Sequence, residues 1–358
     1  VFDDGLDTLC YASAMKRRLL TLLLALTTLA ISPASAPAQL LEEFYRGKTL
    51  QLYVGFGPGA SYDLYARLVA EHLGRHLPGN PRVVTVNMEG AGSLRLVNWL
   101  YNAAPKDGTA FGTASRAAPF ASLIGTQGGT QFDASKFTWI GSANNEVSTC
   151  VTSAASGLRT FDDLREQQLV MGGDGPAADG EQFARVMNEL FGTKIKIVSG
   201  YPGGNAINLA LERGEVHGRC GWSWTGIKAE RRHWVEQGKI NVVVQIGMGK
   251  HPDLPNVPSL LDLARTDEQK QILRLILARQ PLGRPFFAPP GIPGERAEAL
   301  RSAFMATMRD PAFVAAAEKA KLEVNPLSGA EVAALVSEVF ASMTPQLQAR
   351  TRQMLSPN

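Results

Sequence analysis

The residues of this chain that could do chemistry gather in four glycine turns. Two lie early, Gly57-Pro58-Gly59-Ala60-Ser61 and Glu89-Gly90-Ala91-Gly92-Ser93; two come later, Gly172-Gly173-Asp174-Gly175 and Pro202-Gly203-Gly204-Asn205. Each follows a short run that reads as a strand and precedes a segment with helical spacing. Glycines let the chain turn sharply and let a ligand approach the backbone. The helix behind such a turn offers unpaired N–H groups at the positive end of its dipole, so the chemistry on offer is the holding of an anion.

Several specific chemistries are tested by spacing. Gly55-x-Gly57-x-x-Ala60 satisfies the dinucleotide fingerprint, but that site also needs an acidic residue roughly 20 positions on for a ribose hydroxyl. Gly79-Asn80-Pro81 occupies that place and Glu89 comes too late. No Gly-Lys-Ser/Thr follows the turn, which removes the P-loop. Ser61 has no identifiable base and no Gly-x-Ser-x-Gly elbow occurs, so no hydrolase site is apparent. His72 and His76 stand four apart on a helix without a third ligand, and are expected on a solvated face with no metal. No catalytic residue, metal or cofactor is assigned.

Periodicity gives the elements that must position these turns. "TLQLYV" (49–54), "RVVTVN" (82–87) and "TAFGTA" (109–114) read as strands, separated by helices over 62–77 and 94–104. Two such βαβ units argue for a parallel sheet covered by helices on both faces. A second series follows. "FTWIG", "STCVTS", "QLVMGG", "KIKIVSG", "VHGRCGW" and "INVVVQIG" are its strands, and "DGEQFARVMNELFG" and "AINLALERG" its helices. Thr160 with Asp163 predicts a capping box for a short helix, and helices are predicted over 294–309, 312–321 and 329–350, the last opened by a Ser328/Glu331 box. The natural division is a discontinuous first domain, 39–145 with 246–358, and a second domain over 146–245.

Composition narrows the class. Apolar residues make up 45% of the 358-residue chain and charged ones 19%, as in ordinary globular proteins. The net charge of +3 comes without a basic stripe, so no nucleic-acid partner is expected. From Met15, three cations (Lys16, Arg17, Arg18), an apolar run from Leu19 to Ile31 and small residues make a secretory leader. Cleavage is placed after Ala38, so that 1–38 is an upstream extension plus leader. No later segment reaches the roughly 18 unbroken apolar residues of a membrane span. A soluble exported protein, periplasmic and monomeric, is expected. Cys150 and Cys220 remain in a compartment that permits disulfides; spacing leaves open a bridge or two separately buried thiols, and the latter is the expectation.

"GFGPGASYDLYARLVAEHL" followed by "NMEGAGSLRLVNWLYNAAPKDGTAFGT" is similar to the substrate-binding proteins of tripartite tricarboxylate transporters, the Bordetella uptake gene family. Pro58, Gly59, Asp63, Ala66 and Arg67 match its first turn and helix, Asn87, Gly90, Ala91 and Gly92 its second loop, and Pro105, Asp107 and Gly108 the approach to its third strand. "YPGGNAINLALERGEV", "HPDLPNVPSLLDL", "FFAPPGIPGE" and "MRDPAF" extend the likeness over essentially the whole chain after the leader. The resemblance implies an α/β fold of the second periplasmic-binding-protein type: two doubly wound α/β domains, a hinge, and a ligand cleft between them. It also implies capture of a small organic carboxylate, without chemistry, and delivery to a cognate membrane permease. Presentation to a signalling kinase is the alternative, and an exported hydrolase using Ser61 a more distant one. Ala60 and Tyr62 depart from the family pattern, as does "GRCGWSW".

The candidate ligand-binding residues are therefore Gly57, Pro58, Gly59, Ala60, Ser61, Tyr62 and Asp63; Gly90, Ala91 and Gly92; Ser115 and Arg116; Gly173 and Asp174; Gly203, Gly204 and Asn205; and Trp222. Arg116 is the best cation for a carboxylate, which Arg binds bidentately, against the ordinary role of a surface ion pair. Asp174 could take a ligand amine or hydroxyl, although such an Asp more often caps its helix. Asp63 fits a structural place in the first turn of its helix. Trp222 and Trp224, two apart, would share a face on an extended segment.

Overall fold

A computed structural model describes residues 36–124, 129–176 and 178–355. The leader predicted over 1–38 lies, as far as residue 35, outside the described residues. Among them no helix is long and apolar enough to cross a membrane. Strands β1 (Thr49–Val54), β2 (Arg82–Asn87), β3 (Ala110–Thr113) and β4 (Thr138–Ser142) are followed by β5 (Ser148–Ser153), β6 (Leu169–Gly173), β7 (Ile195–Ser199), β8 (Gly218–Ser223) and β9 (Ile240–Ile246), then by β10 (Pro285–Ala288) and β11 (Leu327–Ser328). The first four and last two form one sheet, ordered β11-β4-β10-β3-β1-β2; the five between form the other, ordered β7-β6-β8-β5-β9.

The βαβ pattern predicts a parallel sheet, but both sheets are mixed. In the first, β1 runs parallel to β2 and β3 while β10 is antiparallel to β3 and β4. In the second, β6 is parallel to β7 and β8, and β5 antiparallel to β8 and β9. The reversed strands β5 and β10 are those that follow a passage from one sheet to the other. Reversal puts their first residues beside the last residues of their neighbours: Ser148 pairs with Ser223 and Ile246, and Phe286 with Thr113. The two passages thus run side by side at the carboxyl ends of the parallel strands. Backbone bonds tie them, Ala143 N–H to Arg284 O at 2.9 Å and Glu146 N–H to Gln280 O at 3.1 Å.

The helices cover these sheets through apolar stripes. Helix α1 (Ala36–Tyr45) precedes the sheet and was not read from the sequence. Helix α2 (Ser61–Leu73) buries Tyr62, Tyr65, Ala66, Val69 and Leu73 on one side, at the spacing of one helical face, against Leu50, Leu52 and Phe286. Val69 and Leu73, fully buried, each contribute about 1.5–3 kcal/mol. After α3 (Leu94–Asn102) come α4 (Asp179–Phe191), α5 (Gly204–Glu212) and α6 (Trp224–Glu230) on the second sheet, then α7 (Asp267–Leu277), α8 (Gly294–Arg309), α9 (Pro311–Lys319), α10 (Gly329–Ser342) and α11 (Pro345–Leu355). Single-turn helices are left unlabelled.

Both predicted capping boxes form. Thr160 and Asp163 exchange bonds of 2.8 and 3.2 Å ahead of a single helical turn, and Ser328 with Glu331 opens α10. The helix predicted over 329–350 is instead two, because Pro345 brings no N–H to continue α10 and starts α11 at its first position. Helix α7 was missed although it carries its own Thr266/Gln269 box. Cys150 and Cys220 face each other across β5 and β8 and form a disulfide, correcting the expectation of separate thiols. Register places them opposite, which spacing alone could not reveal. His72 is also corrected: it is buried against Phe313, while His76 bonds Asp310 at 3.0 Å.

Candidate functional site

Between the carboxyl ends of the two sheets lies a small cavity, of which about 60 Å³ admits the centre of a water molecule. The first sheet supplies Phe56, Ala60, Ser61 and Tyr62 from the β1–α2 turn, Ser115 and Arg116 after β3, and Arg284 just before β10. The second supplies Asp174 after β6, Ala178, Asp179 and Gly180 at the start of α4, Gly204 at the start of α5, and Arg219, Cys220, Gly221, Trp222 and Ser223 from β8. Glu230 closes it from the end of α6. The first residues of three helices of nine residues or more (α2, α4 and α5) thus meet at one place, where unpaired N–H groups and dipoles favour an anion.

The sequence candidates divide into walls, rim and scaffold. Ala60, Ser61, Tyr62, Ser115, Arg116, Asp174, Gly204 and Trp222 line the cavity. Gly57, Pro58, Gly59, Gly90, Ala91, Gly92, Gly203 and Asn205 do not; most of them meet across its mouth. Asn205 Nδ2 bonds Pro58 O at 2.9 Å, and Gly175 stands against Ala91 and Gly92. Asp63 is scaffold: its carboxylate accepts from Gly59 N–H (2.8 Å), Arg67 Nε (2.7 Å) and Asn87 Nδ2 (2.8 Å), pinning the first turn to β2. Gly173 lies behind the lining, against the Glu181 carboxylate.

Three local readings change. Asp174 does not cap α4, whose N-cap is Ala178, and its carboxyl is left for the cavity. Trp222 and Trp224 do not share a face, because β8 ends at Ser223 and Trp224 begins α6. Trp222 lines the cavity under the Arg219 guanidinium, 4.2 Å from its ring centroid, while Trp224 Nε1 donates to Asp253 outside it. Arg116 is no surface residue: it is 2% exposed and its Nε donates to Asp179 Oδ2 at 2.6 Å across the two sheets. Its Nη1 has no partner among the described residues.

Arg219, Arg284, Asp179 and Glu230 were missed. Arg284 Nη2 donates to Ser61 Oγ (3.2 Å) and Ser223 Oγ (2.8 Å), Nη1 lies 3.2 Å from Glu146 Oε2, and the guanidinium stacks 4.3 Å from the Tyr62 ring centroid. One side chain therefore joins both sheets and both passages. Among the described residues no histidine lines the cavity, and Ser61 Oγ faces a guanidinium. His251, Asp253 and Glu323, outside it, could offer three metal ligands, but Lys228 Nζ already sits 2.7 Å from both carboxylates. The His251 bond and Lys228 hold the Glu323 carboxyl down at about 2.

Burial raises the Asp174 carboxyl to about 6, with Arg219 only partly opposing, and raises Glu230 for the same reason. A raised carboxylate costs stability once ionised: the folded protein is favoured below the ordinary value of 3.8 and loses that margin as pH climbs through about 6. Asp174→Asn should therefore stabilise the ligand-free protein at pH 7, by up to about 3 kcal/mol, and leave it unchanged at pH 3.5. Urea unfolding at both pH values checks this; equal effects at the two would refute it.

Gly221 shows how tightly the wall is built. Its φ is +73°, and an added Cβ would lie 2.5 Å from Gly180 N, so the bend after Cys220 is pressed onto the first turn of α4. Only glycine at both positions allows that approach.

Solved structures share this fold. The periplasmic binding protein BugD aligns over 87% of this chain and 98% of its own, at 17% identity and a TM-score of 0.67. Rpa4515 of R. palustris, solved with adipate, aligns over 86% and 97% at 17% identity and TM-score 0.68. MatC from Rhodopseudomonas palustris, with bound malate, covers 86% and 99% at 16% identity and TM-score 0.64. No protein-family model and no curated protein matches the chain. The fold is that of the periplasmic binding proteins, with its α/β elements in two sheets, as the resemblance implied.

Proposed function

We propose that this chain is an extracytoplasmic solute-binding protein of the tripartite tricarboxylate transporter kind, capturing a small organic carboxylate and handing it to a membrane permease. The observation that carries this is the convergence of three helix N-termini with Arg116 and Arg284 on one cavity between two sheets. The adipate and malate held by structures of the same fold support the ligand class. Residues 39–145 with 246–358 form one domain and 146–245 the other, and the paired passages act as the hinge. Ligand meets the walls when the domains part and is enclosed when the Asn205–Pro58 rim contact forms. Arg116, Ser61, Tyr62 and Ser115 bind it, and no group performs a reaction on it.

A thermal-shift screen of the exported form tests this. A ligand that binds only the folded state adds about 2.7 kcal/mol at a hundred times its Kd. At least one mono-, di- or tricarboxylate should raise the midpoint by several degrees. Shifts with sugars or with amines lacking a carboxylate, and with no carboxylate, would sink the proposal.

A further inference from the structure

We infer that the ligand is a zwitterion: besides its carboxylate it carries an ammonium group, read by Asp174 and Glu230. This rests on the proposed carboxylate receptor and names the ligand class more closely.

Charge is distributed unevenly over the cavity walls. The half built on the first sheet contributes two guanidiniums, Arg116 and Arg284, and no carboxylate to the lining. The half built on the second sheet contributes three carboxyls, Asp174, Asp179 and Glu230, against one guanidinium, Arg219. Most of these charges have partners in place. Asp179 takes Arg116 at 2.6 Å and Arg279 at 3.3 Å, and Arg284 has Glu146 behind it. Arg219 acts on Asp174 and Glu230 only from beyond ion-pair distance, as Arg284 and Arg231 also do on Glu230, and its Nη1 is spent on Asn208 Oδ1 at 2.7 Å.

Two carboxyls of the cavity wall are therefore left without an ion-pair partner among the described residues. Among the described residues Asp174 accepts no hydrogen bond from another residue, and Glu230 only the Ser61 N–H. A simple carboxylate would bring a further negative charge into a small space that already has a surplus on one wall. Buried charge of that kind is stable only when paired. An ammonium supplies the missing cation and up to three donors for carboxylate oxygens. Its carboxylate, at the other end, faces the guanidinium half and the first turn of α2. The burial that raises both carboxyls agrees with acceptors held short of donors.

Matched acids test this by calorimetry at pH 7.5: L-aspartate with succinate, L-glutamate with glutarate, L-alanine with propionate. Within the pair that binds best, the amine-bearing member should bind roughly tenfold tighter or more, the scale of a charge-assisted hydrogen bond. Asp174→Asn with Glu230→Gln should shrink that gap toward unity. Because the pairs are compared on the unaltered protein, the result stands even if the double variant does not fold. Deaminated acids binding as well as or better than their partners would overturn the zwitterion and leave the carboxylate receptor intact. Binding by none of the six, in a protein that no other carboxylate stabilises, would remove both.

Discussion

Arg284→Ala is expected to cost about 3–5 kcal/mol of folding stability. Arg284 and Glu146 are each 1% exposed at the side chain, with 3.2 Å between Nη1 and Oε2. Removing the guanidinium leaves Glu146 buried with, among the described residues, only the Asn144 amide and the Val147 N–H as donors. It also strips Ser61, Ser223 and the Tyr62 ring of their shared partner. Lysine should rescue little, since a point charge cannot serve two hydroxyls, a carboxylate and the Tyr62 and Tyr65 ring faces together. A second substitution, Glu146→Gln, should recover part of the loss by deleting the orphaned charge. Equilibrium urea unfolding reads all three; a cost under about 1 kcal/mol for Arg284→Ala would show the pair to be dispensable.

Loss of the Cys150–Cys220 bridge is expected to be of comparable size. It closes a sequence separation of 70 residues, for which chain-entropy accounting gives about 4 kcal/mol. The bridged strands are adjacent in the middle of the second sheet, and the loop between them contains β6, β7, α4 and α5. Cys150→Ser with Cys220→Ser should lower the unfolding free energy by about 2–4 kcal/mol, through a looser unfolded chain as much as a weaker fold. Both sulfurs are buried, so reductant added to the folded protein should act slowly and only through opening. An oxidised protein and a serine double variant with the same urea midpoint would contradict this.

Much of the fold was legible because its signals are local. β1, β2 and α2 announce themselves through a short apolar run, β-branched residues and a single apolar stripe respectively, and the Ser328/Glu331 box marks the start of α10 correctly. The turns were legible as well, and Ala60, Ser61, Gly172, Asp174 and Gly204 from them line the cavity. Arg284 and Glu230 were not. Arg284 reaches the site only because β10 runs against β3, and strand direction is a tertiary property that no window of sequence carries. Glu230 arrives from the far end of a short helix whose start, not its end, follows a strand. Asp174 was misread for a related reason: the helix it was expected to cap starts five residues later, at Asp179.

The Gly180–Gly221 contact also sets limits on how this site can change. Where backbone touches backbone, no substitution can widen or reshape the wall without moving a strand or a helix. Variation under selection, or in the laboratory, is thereby channelled to the side chains that project into the cavity, above all Phe56, Tyr62 and Ile207. A descendant with a new diet would be expected to differ there first and to keep both glycines.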